Sequence, residues 1–226
     1  MKRSLTIVLL AAFIVLHGGI SHAQTKPGWP KLITVGSAGL GSTYHIWMGG
    51  LVKVLYEKMG IAGSVESTGG PVHNAQLLAS KKLEFGGVTA AIAYEAFQGT
   101  GWTKGKKYQE LRAILPMYSS FFHMYALRKS GIKSIYDLNG KSVGVGTIGS
   151  TPGMYWPIAF EVGGIKPSRI VHASSSDLNS QFKDGMLDAN GQSVGLPWGI
   201  VSEVELTHEI NVFGVAGEGA SKFIEK

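Results

Sequence analysis

The stretch Thr34–Trp47, TVGSAGLGSTYHIW, restricts the possible folds more than any other part of the chain, because it reads as a strand that breaks on glycines straight into a helix. Leu32 to Val35 is a short β-prone apolar run, Gly36, Gly39 and Gly41 loosen the backbone, and Ser42 or Thr43 stands where a helix N-cap belongs. Trp47, Leu51, Val54 and Leu55 then recur at spacings of three and four, the stripe of a helix that packs on a sheet and ends near Gly60. Glycine lets a ligand approach the main chain, and the free N–H groups and positive dipole end of a helix start attract an anion. The turn therefore predicts a cradle for a carboxylate or phosphate, although a ligand-free α/β turn would use the same glycines. Its GxxGxG spacing is not the GxGxxG dinucleotide fingerprint, and Thr68–Pro71 supplies no ribose-binding acid.

Strand and helix signals keep alternating. Ser64–Ser67 reads as a strand, Val72–Ser80 as a helix opened by Pro71, Phe85–Thr89 as a strand and Ala90–Gln98 as a helix. This order points to a parallel sheet covered on both faces, whose ligands sit beyond the carboxyl ends of the strands. Ser37, Thr68 and Thr89 fall at three such ends. After a polar loop at Gly99–Tyr108, strands are expected at Leu111–Met117 and His123–Arg128. Lys141–Val145 then enters Gly146-Thr147-Ile148-Gly149-Ser150-Thr151-Pro152 and a helix over Thr151–Val162. That repeats the opening motif, and two cradles in successive α/β units suggest two lobes gripping one ligand. Further on, strands are expected at Arg169–Ala173, Asp188–Gln192 and Ile210–Phe213, and helices at Asp177–Asp184 and from Pro197 to about Leu206.

Residues 1–23 read as a cleaved export signal: Lys2 and Arg3 precede the apolar run Leu5–Leu16, and Ser21-His22-Ala23 offers a small-x-small cleavage site before Gln24. The expected location is therefore the periplasm. The apolar run is shorter than the roughly 20 residues of a membrane span. The chain contains no cysteine, which rules out disulfides, cysteine-held metals and a lipid anchor at position 24. The net charge of +6 falls to +4 without Lys2 and Arg3, and the basic residues are scattered, so no nucleic-acid surface is expected. No cofactor is implied. His45, His73, His123, His172 and His208 show no zinc-site spacing. Gly140-Lys141-Ser142 precedes a strand and lacks the first P-loop glycine.

Several blocks in one order then carry a family resemblance: GSAGLGSTYHI at Gly36–Ile46, ESTGGPVHNAQLLASKKLEFGGV at Glu66–Val88, SIYDLNGKSVGVGTIGST at Ser134–Thr151, FKDGMLDA at Phe182–Ala189 and GLP at Gly195–Pro197. Over Lys31–Lys226 the chain resembles the TAXI-type solute-binding receptors of tripartite TRAP transporters. The resemblance implies an α/β, bilobal, periplasmic-binding-protein-like (type II) fold with a hinge. It implies a first lobe over residues 24–117, a second over 118–206, and a segment 207–226 returning toward the first, whose C-terminal part is missing here. It further implies no enzyme, but a receptor that closes on an amino acid or organic acid and delivers it to a TRAP membrane permease. Carried over by position, the contacts are Ser37, Gly41, Ser42, Tyr44 and Thr89, with Ser150 and Thr151 in the second cradle. Asn74 and His123 are secondary candidates. Tyr118, Phe121, Phe122, Trp156 and Trp198 either line the cleft or belong to the core.

Two other classes of function compete. Gly191-Gln192-Ser193-Val194-Gly195 matches the GxSxG of serine hydrolases, but Pro197 stands where the elbow helix should begin, and Glu203, Glu205 and His208 follow too closely to come from separate strands. An extracytoplasmic sensor or interaction domain would share the receptor fold.

Overall fold

The computed structural model describes residues 26–215 and 221; the expected signal at residues 1–23 lies outside them. The first lobe is built on a three-stranded parallel sheet, β1 (Leu32–Gly36), β2 (Ala62–Glu66) and β3 (Phe85–Gly86), ordered β2-β1-β3. The helix α1 (Thr43–Met59) follows β1, α2 (Pro71–Ala79) follows β2, and α3 (Ala90–Gln98) follows β3. Ser42 caps α1 and Gly60 ends it in the left-handed conformation that glycine adopts without penalty. The apolar stripe of α1 differs from the expected one: Trp47, Met48, Leu51, Val52, Leu55 and Met59 pack on Ile33, Val35 and Ile61, while Val54 is exposed. Helical geometry explains this, since 48, 52, 55 and 59 form one line and 54 lies off it.

Gly49 and Gly50 sit mid-helix in α1, exposed, and a Cβ added at either would meet no heavy atom within 4 Å. Alanine at either should therefore raise stability by about 0.5–1 kcal/mol through the lower entropy of the unfolded chain. Urea unfolding of Gly49→Ala would test this, and an unchanged or lower midpoint would refute it.

The second lobe is a mixed sheet of order β6-β5-β7-β4-β8: β4 (Phe121–Leu127), β5 (Ser142–Gly144), β6 (Arg169–Val171), β7 (Ala189–Val194) and β8 (Ile210–Gly214). β6, β5 and β7 run parallel, and β4 runs antiparallel to both β7 and β8. Alternate side chains of β4 enter different cores, which shows that both sheet faces are covered. Met124 and Ala126 join Trp156 and Phe160 of α4 (Thr151–Val162). Tyr125 joins Leu178 and Phe182 of α5 (Ser175–Lys183) and Val201 and Val204 of α6 (Gly199–Glu205).

Two expectations are corrected, and a strand falls where it was expected. Leu111–Met117 forms no strand; Pro116 lacks the N–H that a ladder needs, and the segment instead runs between the sheets with Ile114 and Leu115 exposed. Ile210–Phe213 forms the expected strand, within β8, which pairs with β4 and buries Ile210 against the α5–α6 core. The helix expected from Pro197 begins at Gly199, after an extended Trp198.

Candidate functional site

On the first-lobe side, the ends of three strands are tied by one amide. Asn74 Nδ2 donates to Ser37 O at 2.6 Å and Gly87 O at 2.8 Å, and its Oδ1 lies 2.7 Å from the Thr68 hydroxyl. Ser37 is fully buried, its Oγ 2.8 Å from Glu66 O and 3.1 Å from His45 Nδ1. Both residues are scaffold, spending their polar groups on holding β1, β2 and β3 in register. The chain then turns through Gly41, at φ +75°, and enters α1. Ser42 Oγ accepts from His45 N–H, which leaves the N–H groups of Thr43 and Tyr44 facing outward.

On the second-lobe side, the turn after β5 uses Gly146 at φ +82°, and Ser150 caps α4 by accepting from Gly153 N–H while donating to Thr147 O at 2.6 Å. Ser174 caps α5 in the same way through Asp177 N–H. Gln192, inside β7, lies beside them, its Oε1 accepting from Ser175 Oγ at 3.2 Å. Thus the N-termini of α1, α4 and α5 converge on one cleft, together with Pro71 at the start of α2. The cleft holds about 560 Å³ of empty space, including the solvent at its mouth. Tyr44 and Tyr118 form its aromatic wall, rings edge to face at 6.0 Å.

The lobes touch around this cleft. Val72 N–H donates to Gly149 O at 3.2 Å, Thr147 Oγ1 donates to Gly69 O at 3.1 Å, and the hydroxyls of Thr89 and Thr151 lie 3.1 Å apart. Tyr155 OH donates to Glu95 Oε1 beside them. Gly70, at φ +107°, meets Ser150 so closely that a Cβ would stand 3.1 Å from its Cα. The lobes therefore contact one another beside the cleft, with glycines where the main chains meet.

Among the described residues, no Asp, Glu, Lys, Arg or His lines the cleft. Burial pushes the Tyr118 phenol up to about 12, against a smaller pull from the Thr43 hydroxyl, and burial with the neighbouring Tyr118 raises Tyr44 further. Both phenols stay protonated at neutral pH. Tyr118 OH and Ser193 Oγ are buried with no aligned partner among the described residues.

The family model described as NMT1-like matches residues 35–226. The chain belongs to the NMT1-like family. Solved structures show the same fold at low identity. An ancestral arginine-binding protein bound to arginine is 18% identical, with 81% of this chain and 79% of that one covered and a TM-score of 0.55. A substrate-binding protein of an ABC uptake transporter from Streptococcus pneumoniae, with bound histidine, is 16% identical over 83% and 76%, TM-score 0.57. A truncated arginine-bound ArgBP from T. maritima is 14% identical over 86% and 92%, TM-score 0.55. This NMT1-like chain thus has the α/β periplasmic-binding-protein fold, and these structural relatives are binding proteins, not enzymes.

Of the residues singled out in the sequence, Ser42, Tyr44, Ser150 and Thr151 line the cleft together. Thr89 stands behind Thr151 as its hydrogen-bond partner across the lobes. Ser37, Gly41, Asn74 and His123 do not line it. His123 lies near Phe121 and Trp198, and burial lowers its pKa. Trp156 and Phe122 are core residues of the second lobe.

Sequence reasoning missed Thr43, Thr147, Ser174, Ser175 and Gln192, though Ser174-Ser175-Ser176-Asp177 carries a readable S-x-x-D capping signal. Ser193 lines the cleft but is no nucleophile. It opposes Phe122 across the β4–β7 pair whereas His123 opposes Gln192, so Ser193 and His123 point to opposite faces. The glycines of that GxSxG have packing reasons instead, Gly195 making room for the Tyr118 ring and Gly191 for Met124 and Trp156.

Proposed function

We propose that this NMT1-like protein is the extracytoplasmic receptor of an uptake system, closing its lobes on a small anionic solute and handing it to a membrane permease. The observation that carries the reading is the convergence of three helix N-termini from two lobes on a cleft without charged side chains. Unpaired N–H groups at aligned dipole ends bind an anion without a counter-charge. Ser42, Tyr44, Ser150 and Thr151 would be direct contacts, Gly41 would shape the turn, and Ser37, Asn74 and Thr89 would hold the strand ends and the lobes. The permease we favour is of the TRAP type, on the ordered blocks from Gly36 to Pro197 that resemble TAXI receptors. An ABC importer is the second reading, because a solved relative belongs to one. Uptake by the reconstituted permease distinguishes them, since the first follows an ion gradient and the second ATP.

The receptor reading predicts that one acid among amino acids, dicarboxylates and aromatic acids raises the unfolding temperature. At a hundredfold above Kd the gain is about 2.7 kcal/mol. Ser42→Ala with Ser150→Ala should lower the unliganded baseline by about 1 kcal/mol per cap and abolish the ligand-induced rise. A cooperative transition that no acid moves would remove the reading.

A further inference from the structure

We infer, building on the receptor reading, that the solute is an acid without an amino group: a carboxylate or comparable oxyanion whose apolar part lies against Tyr44 and Tyr118. An amino acid needs two poles in its site, donors for the carboxylate and an acceptor, best a carboxylate, for the ammonium. This cleft has only the first.

The donors are numerous. Once Ser42, Ser150 and Ser174 have each accepted one helix N–H, the N–H groups of Thr43 and Tyr44, of Thr151, and of Ser175 and Ser176 remain without intrahelical acceptors. The side chains are polarised the same way by a chain of buried hydrogen bonds. Ser175 Oγ donates to Gln192 Oε1, Gln192 Nε2 donates to Asn190 Oδ1 at 3.2 Å, Asn190 Nδ2 donates to Tyr125 OH at 2.9 Å, and Tyr125 OH donates to Asn179 Oδ1 at 3.0 Å. Asn190 and Tyr125 are fully buried, Gln192 and Asn179 nearly so, which keeps the chain of bonds out of competition with water. Gln192 Oε1 has accepted one bond from Ser175, and its second N–H is free to donate into the cleft. Ser193 Oγ, 9% exposed and without a partner among the described residues, adds a hydroxyl able to donate to an anion. Such a group costs stability until a ligand satisfies it, which marks the place of one.

Acceptors are scarce. The carbonyl of Thr147 already takes Ser150 N–H and Oγ, and that of Gly146 takes His172 Nδ1. The carboxylate of Asp177, beside the lining residue Ser174, is exposed and engaged by Ser174 Oγ at 2.6 Å. An ammonium drawn from water into the cleft would lose hydration with only hydroxyls in exchange, and would face three positive dipole ends.

Matched pairs differing only by the ammonium group test this: propionate and alanine, succinate and aspartate, glutarate and glutamate, 3-phenylpropionate and phenylalanine. Calorimetry on the mature protein should give, for every pair that binds, at least tenfold tighter binding of the member without the amino group. Ser193→Ala should weaken that acid by about tenfold while raising the unfolding temperature of the unliganded protein, a combination that a merely structural serine would not give. An amino acid binding as tightly as its partner, or tighter, overturns the inference and leaves the receptor reading standing; Asp177→Asn would then show whether that carboxylate holds the ammonium. Failure of all eight compounds to bind would overturn both.

Discussion

Trp156→Ala should lower the unfolding free energy by about 3–5 kcal/mol, the usual range for truncating a fully buried tryptophan. The ring is fully buried, stacks on Phe160 at 5.8 Å, meets Phe122 edge to face at 5.4 Å, and donates its Nε1–H to Gln192 O at 3.4 Å. It also occupies the space beside Gly191, where a Cβ would stand 2.9 Å from Nε1. No neighbour can fill the hole without moving β7 or α4, so little of the cavity cost is recovered. The site should suffer as well, because α4 presents Ser150 and Thr151 to the cleft and β7 presents Gln192 and Ser193. Trp156→Phe keeps much of the ring stacking and should lose about half as much, retaining ligand response. Urea unfolding followed at unchanged m-value measures both, and a loss below about 1 kcal/mol for the alanine variant would contradict this account of the core.

The cradles were legible because glycine and hydroxyl positions obey local rules. Of Ser42 and Thr43, the two residues able to cap the first helix, Ser42 does so, and Ser150 caps the helix after the second turn. Helix α4 likewise spans the expected Thr151–Val162, between a Ser-Thr-Pro start and a Gly-Gly end. What escaped the sequence depends on pairing across the chain. Nothing local to Asn74, a secondary candidate in the sequence, says that its amide will bond to Ser37 O and Gly87 O away from the cleft. Gln192 is one polar residue in a short strand, and its orientation is set by Tyr125, distant in sequence, through Asn190. The fate of Ile210–Phe213 was a question of which strand edge stood free, and β4 offered one. In each case the residue type was informative and the partner was not.

Gly153→Ala sets local propensity against tertiary geometry, and the two give opposite signs. Alanine is the better helix former by about 1 kcal/mol, so position 153, inside α4, would gain on that ground alone. A Cβ there, however, falls on the Thr147 carbonyl oxygen and stands 3.2 Å from Gly146 O. These are backbone atoms, which cannot rotate away as a side chain would. Thr147 O accepts both Ser150 N–H and Ser150 Oγ, and Thr147 Oγ1 reaches across to Gly69 O of the other lobe. Displacing that carbonyl therefore undoes the cap of α4 and a bridge between the lobes together. The expected result is a loss of about 3 kcal/mol with no ligand-induced rise in unfolding temperature, in contrast to the gain expected at Gly49, where the added methyl meets nothing. Stability of Gly153→Ala at or above that of the unaltered protein would mean that the 146–150 loop is free to shift, and that the second cradle is not the rigid surface its hydrogen bonds describe.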